Sequence, residues 1–174
     1  MIDRKQKAFF IDRDGIINED TGYPYKPDHI LFRPEIFDIC RAAQQKGYLL
    51  IVITNQAGVA KGKFSEEDVR SLHAWIKDQF KARGIDIAAF YYCPHHKDGV
   101  VPEYAKTCNC RKPKPGMIEQ AQRDFQIDIP GSLVIGDKVS DRIDYPGLRS
   151  LIVKSKYTVR NYDVEYPAQI LKYL

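Results

Sequence analysis

Long apolar runs are what this sequence most plainly lacks. The longest ones, such as Tyr48 to Ile53, are far too short to cross a bilayer, and no apolar leader segment opens the chain. That predicts a soluble cytoplasmic protein with no membrane partner. Repeats, low-complexity tracts and linker-like stretches are also missing, which points to a single domain over 1–174, for which a monomer is the working expectation. A large charge surplus is absent too. The 27 Lys and Arg against 23 Asp and Glu leave a net charge of +4, spread along the chain rather than gathered into a stripe that would track nucleic acid. A mildly basic face around a small anionic substrate is equally compatible with that balance. Cysteine is scarce, with only four in the chain, and three of them gather near histidines at metal-ligand spacing, which favours a reducing compartment.

What is present is an alternation of short apolar runs with amphipathic stretches. Ala8 to Ile11, Tyr48 to Ile53, 87–92, 133–135 and 151–153 read as strands whose apolar character is too continuous for a one-sided sheet. Between the first two, Pro34 to Lys46 carries Ile36, Ile39, Cys40 and Ala43 at helical spacing, with Gly47 as a stop. A longer helix over 65–83 is capped by Ser65 with Asp68 and presents Val69, Leu72, Ile76 and Phe80 inward. A short one covers 115–125. Strands separated by helices predict a doubly wound parallel α/β sheet, Rossmann-like in class.

In such a sheet ligands bind beyond the carboxyl ends of the strands, so the residues that follow each strand carry the functional signal. After the first strand come Asp12 and Asp14, one residue apart and therefore on the same side of an extended backbone. Alone, Asp-x-Asp-Gly is better explained by a surface turn, and it is the downstream residues that reverse this. Thr54-Asn55-Gln56 follows the second strand and Gly136-Asp137-Lys138 the fourth, with Arg111-Lys112 just before a helix. A carboxylate pair with a further acid suits a divalent cation and a phosphate. In this order the set resembles the haloacid dehalogenase superfamily of aspartyl phosphatases, whose four motifs match Asp12 to Ile16, Thr54, Lys112, and Asp137 with Asp141.

The resemblance implies a nucleophile at Asp12, a general acid and base at Asp14, and Mg²⁺ held by Asp12, Asp137 and the Asp14 backbone carbonyl. Thr54 and Lys112 would contact the equatorial phosphate oxygens, with Lys138 and Asp141 in support. A second constellation is Cys93-Pro94-His95-His96 followed by Cys108-Asn109-Cys110. Three thiolates and one imidazole fit a closed, structural zinc site in a loop over about 93–110; the competing explanation is two buried free cysteines and a disulfide. Spacing leaves open which histidine binds, and the matching family position selects His95.

Together these features look like the D-glycero-D-manno-heptose 1,7-bisphosphate 7-phosphatases, with histidinol-phosphate phosphatases as near relatives. That resemblance implies substrate contacts from Asp20, Thr21, Gly22, Tyr23, Asn55, Gln56 and Ala57. It also implies a second-phosphate contact from Arg111, whose planar fork suits that role. The expected partner is a small phosphorylated sugar, met in an open site without a large cap domain. Histidinol phosphate and a non-catalytic zinc-stabilised binding module are the alternatives. The tail from Lys154, rich in tyrosine, matches nothing in the family and is expected to pack on the core.

Overall fold

The structure, a computed structural model, describes residues 5–174. Five parallel strands, β1 (Ala8–Ile11), β2 (Leu49–Asn55), β3 (Ile87–Cys93), β4 (Leu133–Gly136) and β5 (Arg149–Ile152), form one sheet in the order β3-β2-β1-β4-β5. Three α-helices, α1 (Glu35–Gln45), α2 (Glu66–Lys81) and α3 (Gly116–Asp124), lie between strands. The doubly wound α/β expectation therefore holds.

Alternation along the strands explains the two layers. Phe9, Ile11, Leu50 and Val52 point into a core shared with α1 and α2, while Ala8, Phe10, Ile51 and Ile53 point into a second core against α3. Ser65 caps α2 reciprocally with Asp68, and Val69, Leu72, Ile76 and Phe80 are buried as the helical stripe requires. Between β4 and β5 the chain makes only a 3-10 turn (Val139–Asp141) before Pro146. The tail packs back on the first core through Val164 and Ile170, with Tyr173 against it. Tyr162 and Tyr166 stay exposed. No helix among the described residues is long and apolar enough to cross a membrane.

This order places the functional end. The chain moves outward from β1 through β2 to β3, then returns to place β4 on the other side of β1. The crossovers diverge between β1 and β4, and the crevice at their carboxyl ends is where Asp12 and Asp137 emerge.

Candidate active site

Asp12 follows the last residue of β1 and is 6% exposed. Its Oδ1 accepts from Lys112 Nζ at 2.9 Å and from the Arg13 backbone at 2.9 Å. Lys112 Nζ also donates to Asp141 Oδ1 at 2.6 Å and to the Ile53 carbonyl at 3.0 Å, which engages all three ammonium hydrogens. The other oxygen of Asp141 accepts from the backbone of Asp137 and Lys138. Burial works against the charge of Lys112, yet Asp12 and Asp141 hold it above the ordinary lysine range. Burial, reinforced by Asp141, pushes the Asp12 carboxyl well above the usual carboxylate value, with Lys112 opposing. Asp137 is pushed up to about 6, again chiefly by burial.

Three carboxylates converge here against one buried lysine, and carboxylate oxygens of Asp12, Asp137 and Asp141 all lie within 4.8 Å of one another. Asp137 Oδ1 is buried with no hydrogen-bond partner. An orphaned carboxylate oxygen beside other acids is the donor set that a hard divalent cation satisfies, so the residues fit Mg²⁺. Two glycines make the crowding possible. A side chain at Gly15, whose φ is +94°, would collide with the Asp137 carboxylate, and one at Gly136 would collide with Asp141.

Asp14 opens into the same pocket as Asp12 but in different company. Its Oδ1 accepts from Arg13 Nε and Asn18 Nδ2, and its Oδ2 from Arg13 Nη2 and Gln56 Nε2, at 3.0 to 3.1 Å. Arg13 is fully buried. It also donates to the Pro24 carbonyl and Gln56 Oε1, and its Nη1 lies 3.1 Å from His73 Nε2. An arginine has no lone pair to offer, so His73 must accept with an unprotonated Nε2. Burial, followed by the charge of Arg13, accordingly holds His73 well below the ordinary histidine value. The sequence assigns Arg13 no separate role and reads His73 only as a solvated or structurally bonded residue, the second of which it is. The usable signal was a charged residue at the end of an apolar strand, which has to find partners.

The pocket, about 210 Å³, is walled by residues from four loops. Thr54, Asn55, Gln56 and Ala57 come from the end of β2, Arg111 and Lys112 from the loop before α3, and Asp20, Gly22 and Tyr23 from the loop after β1. Thr54 Oγ1 accepts from Gln56 at 2.8 Å. Asn55 both donates to the Lys112 carbonyl and accepts from the Lys112 amide. Lys138 and Asp141 also line the pocket, as do Lys61 and Ser140, neither of which the sequence reading singled out. Thr21 instead lines a shallow outer hollow with Pro24, Asp28 and His29.

Cys93, His95, Cys108 and Cys110 offer donor atoms that all lie within 4.8 Å of one another, and every cysteine is a free thiol. Cys93 Sγ lies 2.9 Å from Cys110 Sγ and 3.4 Å from Cys108 Sγ, and His95 Nδ1 is 3.4 Å from Cys110 Sγ. Hydrogen bonding with Cys93 pulls the Cys110 thiol down to about 5 and pushes Cys93 up in return. Three sulfurs and one ring nitrogen around a common point fit tetrahedral zinc. His96 lies outside the cluster and faces Asp98. Cys40 sits apart, buried on α1.

A parallel sheet in this strand order, with paired acids after its central strand and a lysine and further acids across the crevice, defines the haloacid dehalogenase class of phosphatases. Residues 7–165 match the polynucleotide kinase 3 phosphatase family, and the chain belongs to that family. Its relatives include a D-glycero-beta-D-manno-heptose-1,7-bisphosphate 7-phosphatase from Yersinia pestis, 45% identical over 134 residues, 77% of this chain and 71% of the relative. A D-glycero-alpha-D-manno-heptose-1,7-bisphosphate 7-phosphatase from Photorhabdus laumondii is 44% identical over 79% of this chain and 75% of its own length. The resemblance to heptose bisphosphate phosphatases read from the sequence is therefore upheld. Among solved structures, a HAD-like phosphatase from Mesorhizobium loti superposes with a TM-score of 0.82 at 29% identity, covering 97% of this chain and 83% of that one. The D,D-heptose 1,7-bisphosphate phosphatase of B. bronchiseptica, complexed with magnesium and phosphate, gives 0.78 at 24% identity over 96% of this chain and 97% of that one, a likeness of fold.

Proposed function

We propose that this chain hydrolyses the 7-phosphate of D-glycero-D-manno-heptose 1,7-bisphosphate, leaving heptose 1-phosphate, through an aspartyl-phosphate on Asp12. One observation carries the reading. A carboxylate buried against Lys112 opens into a pocket that also carries Arg111, Lys61 and Lys138, cations whose charge suits a second phosphate. Asp12 attacks phosphorus as the bond to the sugar oxygen breaks, and Asp14 gives its proton to that oxygen. Water then attacks the aspartyl-phosphate, Asp14 takes the water's proton, and inorganic phosphate leaves with Asp12 restored. Thr54 and Lys112 border the place where the equatorial oxygens gather charge. Asp12, Asp137 and the Asp14 carbonyl would hold Mg²⁺, which would supply charge neutralisation for one anion approaching another. The chain acts as one domain and as a monomer, in the cytoplasm and on a small sugar phosphate.

The test is phosphate release from a substrate panel with and without Mg²⁺. The panel holds both anomers of the heptose bisphosphate, since the relatives' names divide between them, with fructose 1,6-bisphosphate and histidinol phosphate. Better turnover of histidinol phosphate would replace the substrate named here.

Metal binding has its own readout. Mg²⁺ at about 100 times its Kd should stabilise the wild-type fold by about 2.7 kcal/mol, seen as a rise in Tm. Asp137→Asn should lose most of that rise; an equal rise in both proteins would remove Asp137 from the cation site.

The Cys93, His95, Cys108 and Cys110 cluster is proposed to hold zinc with no position left for water, and therefore to serve structure alone. It ties the end of β3 to the residues just before Arg111 and Lys112. Cys108→Ser should cost about 3 kcal/mol, the order of the entropy of closing a loop this long, with activity falling through stability. Lost turnover at an unchanged Tm and full zinc content would contradict a structural role.

A further inference from the structure

The tyrosine-rich tail is the part of the chain that the proposed chemistry does not use, yet one of its side chains reaches the rim of the pocket. Tyr157 donates its hydroxyl to Asp20 Oδ2 at 2.9 Å. The same oxygen pairs with Lys138 Nζ at 3.0 Å, and that ammonium lies 4.6 Å from the centroid of the Tyr157 ring. The other oxygen of Asp20 accepts from the Gly22 backbone.

The turn that presents Tyr157 is itself anchored. Ser155 Oγ donates to the Asp137 carbonyl at 2.6 Å, and Thr158, 2% exposed, bonds the carbonyls of Asp137 and Val153. At the other end of this wall segment, Lys61 Nζ donates to the Tyr23 hydroxyl at 3.0 Å. The segment from Asp20 to Tyr23 is therefore fastened at both ends, by the tail at one and by the loop after β2 at the other. Asp20, Gly22 and Tyr23 form pocket wall between those fastenings.

We propose that Tyr157 is a specificity-determining, positioning residue: its hydroxyl holds Asp20, and through it the 20–23 wall, at the depth that receives the part of the substrate remote from the reacting phosphate. This rests on the reading of the pocket as a sugar-bisphosphate site. Tyr157 touches no reacting atom. Its effect falls on binding of the distal half of the substrate and spares a phosphate ester too small to reach the wall.

Tyr157→Phe removes one hydroxyl from a side chain that is 47% exposed and leaves the ring beside Lys138, so the fold stands. KM for the heptose bisphosphate should rise about five-fold, the worth of one such hydrogen bond. The kcat for that substrate, and both constants for p-nitrophenyl phosphate, should stay within about two-fold. Hydrogen exchange of the 19–23 amides should quicken in the variant without substrate. An unchanged KM with unchanged exchange would overturn the proposal. So would an equal rise in KM for both substrates, which would place the effect at Asp137 instead. Wild-type protein that turns over the bisphosphate no better than p-nitrophenyl phosphate would remove the substrate reading. Exchange then decides alone whether Tyr157 holds the wall: quicker amides keep it and unchanged amides remove it.

Discussion

Asp12→Asn should abolish turnover, with kcat down by at least about 10⁴-fold, the scale of loss when a nucleophile is deleted from a site that acts as a unit. An amide at this position keeps the oxygen that accepts from Lys112 and from the Arg13 backbone, so the local hydrogen bonds persist. It cannot form the ester to phosphorus. The substitution also takes one negative charge from a cluster in which Asp12, Asp137 and Asp141 crowd within 4.8 Å. Desolvation and the neighbouring Asp141 already disfavour ionised Asp12. The metal-free variant should therefore melt at or above the wild-type temperature. Phosphate release and calorimetry on the same preparation check both halves. Retained turnover would dismiss Asp12 as nucleophile, and a collapsed Tm would mean that its charge serves the fold.

Arg13→Met should be the most destabilising single change near the site, costing about 3 to 5 kcal/mol, because breaking one side of a buried ion pair strands the other. The guanidinium is wholly buried and serves Asp14, Gln56, the Pro24 carbonyl and His73 together. Without it the Asp14 carboxylate loses two of its four hydrogen bonds, and His73 faces an apolar thioether. Arg13→Lys should recover little, since an ammonium keeps the charge but not the fork that reaches these groups at once. Urea unfolding monitored at equilibrium measures the loss. A cost below about 1 kcal/mol would show that the network is replaced by water and that burial overstates its role.

Much of this arrangement was legible in the chain itself, for reasons that are local. The continuous apolar strands, the Ser65 cap with Asp68, and Asp12 with Asp14 at a strand end depend on spacing along the backbone. Strand alternation and helix periodicity carry such information directly. The cluster of three cysteines and one histidine was legible because thiols and imidazoles in two short knuckles have few other uses. What escaped was set by contacts between distant segments. His73 sits on the buried stripe of α2, where its spacing signals only that it faces inward, and its partner lies 60 positions away on β1's end. Tyr157 meets Asp20 across 137 positions, and no periodicity encodes that. Thr21, grouped with its neighbours by resemblance, lines the outer hollow and not the pocket, and no spacing along the chain separates it from Asp20 and Gly22.

The pair of hydrogen bonds between the Asn55 side chain and the Lys112 backbone has a practical result. The peptide that carries this lysine is stitched to the end of β2 by its own amide and carbonyl, independently of the ammonium five atoms further out. Exchanging the head group leaves the address unchanged. Substitutions at position 112 thus separate the electrical contribution of that residue from its location.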